Sequence, residues 1–464
     1  MKQGLVSMAI VLCCWLTLPA AAQARHDFSA KQAADYAKKN SVQVKNALLD
    51  IQIQQQTNKE ITASALPSIT GNAGLNYFPN VGVQTFPNFI AAGTYGVLAA
   101  NGVRDGNGNP IVAPNDFGFI QAQFGTKFTN SVGLSLQQLL FDGQVFIGLQ
   151  ARKTSIDLIT KTSEVTEENI RTNVYKVYYQ LAASKNQLSI LDANIARIQK
   201  LESDTKKLFE NGFAEKLDIS KLNVQLANLQ TERLKALNTI NNGFLGLKLL
   251  MGMPIQDTLV LTDSVTYNDI RNGVLEATQY QYTDRKEYQQ AQLGAKLGEF
   301  NIRRYQLAKL PTVSLNSNYN INRQANTFGF GGNWFKSSLI GLNISVPIFR
   351  GFAADARIES ARLQQQKNLN NIETLKISID RDVQQALNNY NNALATLDAQ
   401  KRNMELAETV YNQTLLKQQN GIGSSTEITS AQSDLQVAQN NYILALYDAI
   451  NAKIDFLKAT GKLP

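Results

Sequence analysis

One plan is written twice in this chain, and a repeated plan limits the possible architectures before any residue-level reasoning begins. Leu66-Pro67-Ser68-Ile69 returns as Leu310-Pro311-Thr312-Val313, 244 residues later. Gly133-Leu134 through Phe141-Asp142-Gly143 returns as Gly341-Leu342 through Phe349-Arg350-Gly351, displaced by 208. Asn211-Gly212 with Asp218-Ile219 returns as Asn420-Gly421 with Glu427-Ile428, displaced by 209. The halves therefore run in step apart from about 36 additional residues between the two strand-like segments of the first half, where an insertion falls in a loop.

Each half begins and ends in a helical pattern. Val174, Val177, Leu181, Leu188, Leu191, Ile195 and Ile198 recur at spacings of three, four and seven, which is the seam of packed helices. Leu387, Tyr390, Leu394, Leu397 and Met404 repeat it, and Leu435, Ala438, Tyr442, Ala445, Ala449, Ala452 and Phe456 make a stripe whose small residues allow close approach. Periodicity alone would suit an ordinary bundle or a fibrous coiled coil, but the lengths do not. The spans 143–209 and 352–419 predict helices on the order of 100 Å each, longer than any globular core requires. Shorter helices are expected at 29–65, 215–250, 282–310 and 424–460, two stacked end to end beside each long one. The expected turns are Asn211-Gly212 and Asn420-Gly421, where glycine supplies the positive φ of a helix end.

Between the helices the period falls to two. Ile69, Ala73, Leu75 and Tyr77 alternate with Ser68, Thr70, Asn72 and Asn76, and Val132, Leu134, Leu136 and Leu140 alternate with polar or small residues. Val313, Leu315, Tyr319 and Ile321 oppose a run of Thr, Ser and Asn, and Ile340, Leu342, Ile344, Val346 and Ile348 oppose Gly341, Asn343 and Ser345. Four strands are expected, at 68–78, 131–141, 312–322 and 338–348, each about ten residues, the length of a tilted bilayer-crossing strand. Four strands cannot close a barrel, and an open edge in lipid leaves backbone groups unpaired at several kcal/mol each. Closure thus calls for several copies. Three give twelve strands and two give eight, and only the larger ring leaves an aqueous lumen continuous with a helical tube.

The first residues read as a secretory leader over 1–24: Lys2, an apolar run from Leu5 to Leu18, then Ala20, Ala21, Ala22 and Ala24. The run is short for a membrane anchor, and lipidation at Cys13 or Cys14 is disfavoured by Leu12 before the first of them. Both cysteines of the chain lie in this leader, so no disulfide or thiolate site is expected beyond it. The formal charge of +8 is spread along helical faces without a block of like charge, and an exported chain is a poor candidate for nucleic acid. The segment 78–128 is rich in Gly, Asn and Pro; Asp105-Gly106-Asn107-Gly108-Asn109 hints at a calcium loop, but Pro110 stands where an EF-hand needs Gly, so tight turns explain it better. Neither phosphate-cradling loop nor catalytic triad pattern occurs, and the only histidine is His26.

Ala65-Leu66-Pro67 entering a strand, its repeat at Lys309-Leu310-Pro311, and Val346-Pro347-Ile348-Phe349-Arg350-Gly351 leading into a very long helix resemble the TolC outer-membrane efflux proteins. Proline ends a helix and removes a ladder donor, so these motifs mark the strand boundaries; the first half departs at Leu139, which stands where Pro347 does. The resemblance implies an α+β membrane protein: a long antiparallel α-helical barrel, and four strands per chain contributing to a trimeric twelve-stranded outer-membrane β-barrel. The expected division is a leader, 1–24, a first repeat, 25–250, a mid-height linker, 251–281, and a second repeat, 282–464.

Implied with the family are a homotrimer in outer-membrane lipid with its tunnel in the periplasm, a periplasmic adaptor protein, an inner-membrane pump, and export without catalysis, cofactor or metal. In that family the hairpin tips meet the adaptor. Carried over, the tip positions here are Gly212, Phe213 and Asp218, and Gly421, Ile422 and Glu427, each also readable as a plain helix cap or a first-turn acid facing the helix dipole. A trimeric coiled-coil adhesin is the competing class, but strand pairs inside both halves, rather than at one chain end, disfavour it.

Overall fold

The described residues open on a short strand, β1 (Arg25–Phe28), and on a helix fixed by a reciprocal cap. The Ser29 hydroxyl accepts the Gln32 amide at 3.2 Å while the Gln32 side chain accepts the Ser29 amide at 2.9 Å, setting the start of α1 (Ala30–Asn40). The computed structural model describes residues 24–263, 267, 270 and 279–463. The expected leader, including Cys13 and Cys14, lies outside the described residues up to 23, and so do parts of the expected linker between 264 and 278.

The single helix expected at 29–65 is two: α1 is followed at once by α2 (Val42–Ala63), with Ser41 at ψ 131° between them. Gly252, at φ +69°, ends the later helix α5 (Lys216–Met251) so closely against the break that a Cβ there would sit 2.3 Å from the Asn40 carbonyl oxygen.

After α2 come β2 (Ser68–Tyr77), β3 (Val83–Pro87), α3 (Phe89–Ala100), β4 (Phe119–Gln123), β5 (Phe128–Phe141) and the 68-residue helix α4 (Gly143–Glu210). Helix α5, strand β6 (Thr258–Leu261), a 3-10 turn at Tyr282–Asp284 and α6 (Lys286–Leu307) lead to β7 (Thr312–Ala325) and β8 (Phe335–Ser345). The chain finishes with the 67-residue helix α7 (Ala353–Gln419) and α8 (Ser425–Ala459). Segment 78–128 is therefore more structured than its composition suggested. β3 and β4 pair antiparallel, Asn88 caps α3 through the Ala91 amide at 3.0 Å, and the Asp105 carboxylate holds a turn by accepting the amides of Asn107 and Asn109 at 2.9 and 2.8 Å.

The described residues form two compact units. One comprises 24–57, Ala151–Phe300 and 360–463. Its core is built from small and branched residues: Ala30, Ala33, Ala34 and Ala37 of α1 lie with Val174, Leu181, Leu247, Ile379, Leu397 and Ala449. α8 buries more than its expected stripe, adding Ile443, Leu446, Ile450 and Ile454, as a helix covered on more than one side must. β1 and β6 pair in parallel, and the fully buried Tyr178 ties them down: its hydroxyl donates to the Phe28 carbonyl at 2.8 Å and accepts the Asp263 amide at 3.0 Å.

The other unit comprises Asn58–Gln150 and Asn301–Glu359 and carries a four-stranded antiparallel sheet in the order β2-β5-β7-β8. β5, β7 and β8 each start or run three residues further than expected on one side, and β8 stops at Ser345 rather than 348. Pro347, which has no amide to donate, accounts for the early stop. The β2–β5 hairpin pairs Ser68 with Gln137 and the β7–β8 hairpin pairs Thr312 with Ser345. These are the same pairs displaced by 244 and 208 residues, the offsets of the sequence motifs.

Candidate functional site

Residues paired across a sheet share a face, so the strand registers decide whether the four alternating patterns add or cancel. They add. Ile69 faces Leu136, Ala73 faces Val132, Val132 faces Ile321 and Leu134 faces Tyr319; beyond β7, Leu315 faces Leu342 and Val313 faces Ile344. The opposite face reads Ser68, Thr70, Asn72 and Asn76, then Gln137, Ser135 and Ser131, then Asn316, Asn318, Asn320 and Asn322. On that polar face Asn72 donates to the Ser135 hydroxyl at 3.1 Å, and the Asn320 side chain folds over Gly133 so tightly that a Cβ at 133 would meet its Oδ1 at 1.9 Å.

The apolar face is open in the single chain: Ile69, Leu75, Leu134, Leu342 and Ile344 are exposed, and Ile340 is 78% exposed. Such a face, several side chains wide, is a surface that water penalises by about 25 cal/mol for each Å² left uncovered. β2 and β8 are the edges of the sheet, each paired on one side alone.

The two helix turns are built alike. Gly212, at φ +81°, donates its amide to the Phe209 carbonyl at 2.9 Å, and the Phe213 amide reaches back to Leu208 at 2.8 Å. Gly421, at φ +76°, donates to Gln418 at 3.0 Å, and Ile422 reaches back to Lys417 at 3.1 Å. This is the double closure that lets a left-handed residue end a helix. Space is not what demands glycine, since nothing lies within 4 Å of a Cβ at either position; the backbone angle is.

Each turn then presents one large apolar side chain to solvent, Phe213 at 82% and Ile422 at 79% exposure. The following acids act as first-turn residues. Asp218 accepts the Glu215 amide at 3.3 Å, and Glu427 lends its amide to the Ser424 hydroxyl at 3.1 Å while its carboxylate stays in an exposed residue. All six positions expected from the resemblance thus lie on two matching turns, with Leu201, Leu222, Tyr411 and Ile428 packed in one cluster behind them.

A groove beside the turns was not read from the sequence. About 520 Å³ in volume, it is bordered by Arg197, Lys200 and Lys207 with Asp204 on α4 and by Tyr411, Leu415 and Gln418 on α7. The Arg197 guanidinium lies over the Tyr411 ring at 5.8 Å. Burial pushes the Tyr411 hydroxyl above its ordinary pKa, with Arg197 acting against that shift. Arg197 and Tyr411 lie more than two hundred residues apart, and only the fold joins them. Nearer the middle of α4, Asn194 is fully buried, accepting from Gln432 at 3.0 Å and donating to Gln439 at 3.1 Å, which fixes the register of α4 on α8.

A sheet largely apolar on one face and open at both edges leaves that face and those edges uncovered by its own chain among the described residues. Known proteins resemble the chain in sequence and in fold. Residues 276–462 match the outer membrane efflux protein family. The chain is 21% identical over 340 residues to outer membrane protein TolC of Vibrio cholerae, covering 72% of this chain and 77% of that one. It is 20% identical over 343 residues to the outer membrane efflux protein BepC of Brucella suis, covering 73% of each. In fold it is similar to CusC, whose structure is described in connection with transmembrane channel formation, with a TM-score of 0.71 at 16% identity over 96% of this chain and 95% of that one. The Campylobacter jejuni CmeC outer membrane channel gives 0.68 at 14% identity, over 96% and 90%. The chain is thus similar in part of its sequence to outer membrane efflux proteins, and similar in fold to outer membrane channels.

Proposed function

We propose that this protein is the outer-membrane channel of a tripartite efflux or secretion system, passing small molecules or polypeptides across the periplasm and outer membrane without catalysis. Three copies contribute four strands each to a twelve-stranded barrel in outer-membrane lipid, and their paired helices form a tunnel in the periplasm. The two repeats, 25–250 and 282–464, joined by the linker 251–281, each supply one strand pair and one hairpin tip. An inner-membrane pump supplies the energy, and a periplasmic adaptor protein meets the tips at Gly212, Phe213 and Asp218 and at Gly421, Ile422 and Glu427. The exposed Phe213 and Ile422 give that contact two apolar anchors.

One observation carries the reading. The registers gather most of the apolar residues of the four strands on one face, with Phe335 and Leu339 as exceptions, while leaving both sheet edges unpaired, which suits lipid on one side and further copies at the edges. The test is to place detergent-purified protein in planar bilayers. Stepwise ion conductance is expected, and a protein that remains soluble without detergent and opens no pore contradicts the proposal. For the tips, Gly212→Val and Gly421→Val are expected to impair export while assembly persists, since each forces a branched side chain into positive φ. Normal export by both variants removes the tip assignment.

A further inference from the structure

The structure holds the geometry of a contact that it does not itself contain. Within the chain, β5 of the first half pairs with β7 of the second, and the partner indices add to a constant along most of the ladder: Val132 with Ile321, Leu134 with Tyr319, Ser135 with Asn318. β8 stands to the second half as β5 does to the first, and β2 stands to the first half as β7 does to the second. The hairpin registers agree with the offsets 208 and 244 residue for residue. Moving the β5–β7 ladder by those offsets turns Val132–Ile321 into Ile340–Tyr77 and Leu134–Tyr319 into Leu342–Leu75. Within one chain β2 and β8 are opposite edges, separated by two strands and therefore by about 14 Å.

We propose that the two free edges belong to each other across copies of this chain, in that one register: Ile340 with Tyr77, Leu342 with Leu75, Ile344 with Ala73, and on the other face Gly341 with Asn76 and Asn343 with Gly74. The proposal rests on the barrel reading above and specifies its joint. Its parity is right, because every pair joins two residues of the apolar face or two of the polar face, and a slip by one residue would mix them.

A second observation supports it independently. Gly133 is required inside the chain because the Asn320 side chain and the Tyr319 carbonyl oxygen occupy the place of a Cβ, at 1.9 and 2.7 Å. The transferred pair is Gly341 with Asn76, so glycine and asparagine recur at the two positions where the joint needs them. In the single chain nothing lies within 4 Å of a Cβ at Gly341, so no contact inside the chain accounts for glycine there.

The same transfer assigns an occupant to the apolar turn after β8. Gly143, at the start of α4, lies against Leu307 at the end of α6, a Cβ there being 2.7 Å from the Leu307 Cβ and 2.8 Å from its carbonyl oxygen. Displaced, this becomes Gly351 against Ala63 of the next copy, beside the exposed Ile348, Phe349 and Phe352. By that transfer the α2 end of one copy meets the segment leading into α7 of its neighbour, at a turn that Gly351 holds at φ +59°.

Cysteine pairs read the register directly, because a disulfide needs Cβ atoms about 3.5–4.5 Å apart, which directly opposed residues approach and diagonal ones do not. In full-length protein with Cys13 and Cys14 changed to alanine, Leu75→Cys with Leu342→Cys is expected to oxidise to a covalent trimer. Leu75→Cys with Ile340→Cys or with Ile344→Cys is expected to give little. Cross-linking through a shifted pair instead overturns the register while leaving the barrel standing. A native-mass trimer in which none of the three pairs links overturns the edge-to-edge joint, and a protein that forms no oligomer at all removes the barrel reading beneath it. Gly341→Ala supplies a readout that does not depend on oxidation. It is expected to abolish most of the detergent-resistant trimer while the monomer still folds, and an unchanged trimer contradicts the proposal.

Discussion

The chain makes the same turn from strand to long helix twice, and the two copies differ in what surrounds them. At the first, Asp142 accepts the Gln144 amide at 2.7 Å and starts α4 directly at Gly143, which lies hard against Leu307. At the second, Arg350 stands where Asp142 does and its side chain has no acceptor to offer, Pro347 has already ended the strand, and α7 begins only at Ala353, whose amide the Arg350 carbonyl accepts at 3.2 Å. The residues between hold consecutive positive φ angles, +59° at Gly351 and +62° at Phe352, and Phe352 is the one non-glycine residue in that region among those described. Ile348 is 94% exposed there, and Phe349 and Phe352 meet edge to face at 5.5 Å with little else around them. A packed turn and an open one share one motif, and the open one is where the proposed neighbouring copy would lie.

If the first turn is held by packing inside the chain, deleting that packing should be costly. Ile147, one turn into α4, is 3% exposed, and Ile147→Ala is expected to lower stability by about 2–5 kcal/mol in thermal or denaturant unfolding. Its counterpart by offset is Asp355, which instead pairs with Lys309 at 2.5 Å in the open. Lys309→Ala is expected to cost under about 1 kcal/mol, and less still in high salt. Equal effects from the two substitutions would break the comparison.

The glycines sharpen it. Gly143→Ala drives a Cβ into the Leu307 backbone and is expected to cost about 1–3 kcal/mol whatever the state of assembly. Gly351→Ala meets no atom in the single chain and carries only the cost of positive φ, about 1–2 kcal/mol. A larger loss for Gly351→Ala in the assembled protein than in the dissociated chain would mark the contact with the next copy; Gly143→Ala should show no such difference.

The parts of this fold that were readable in advance are those whose physics is periodic. Two-residue alternation gave the strand faces, because pleating forces it, and three-four spacing gave Val174, Leu181, Leu191 and Ile198, all buried as expected. Asn-Gly pairs gave both helix turns, at Asn211-Gly212 and Asn420-Gly421, because few residues but glycine tolerate that backbone. Elements fixed by distant contacts were not readable. The break between α1 and α2 lies against Gly252, over two hundred residues away in sequence, and only Ser41 marks it locally. β1 and β6 are four residues each, too short to show a period, and α3 is apolar all round, leaving the Asn88 cap as its one local signal. The groove between Arg197 and Tyr411 exists only because α4 and α7 pack side by side.

The central claim is that one chain carries a third of a closed wall. Native mass measurement of the protein extracted from outer membranes in mild detergent tests it most directly. A single assembly of three copies is expected, near three times the 51.2 kDa chain once any leader is subtracted. A stable single copy, or a ring of another number, would contradict it.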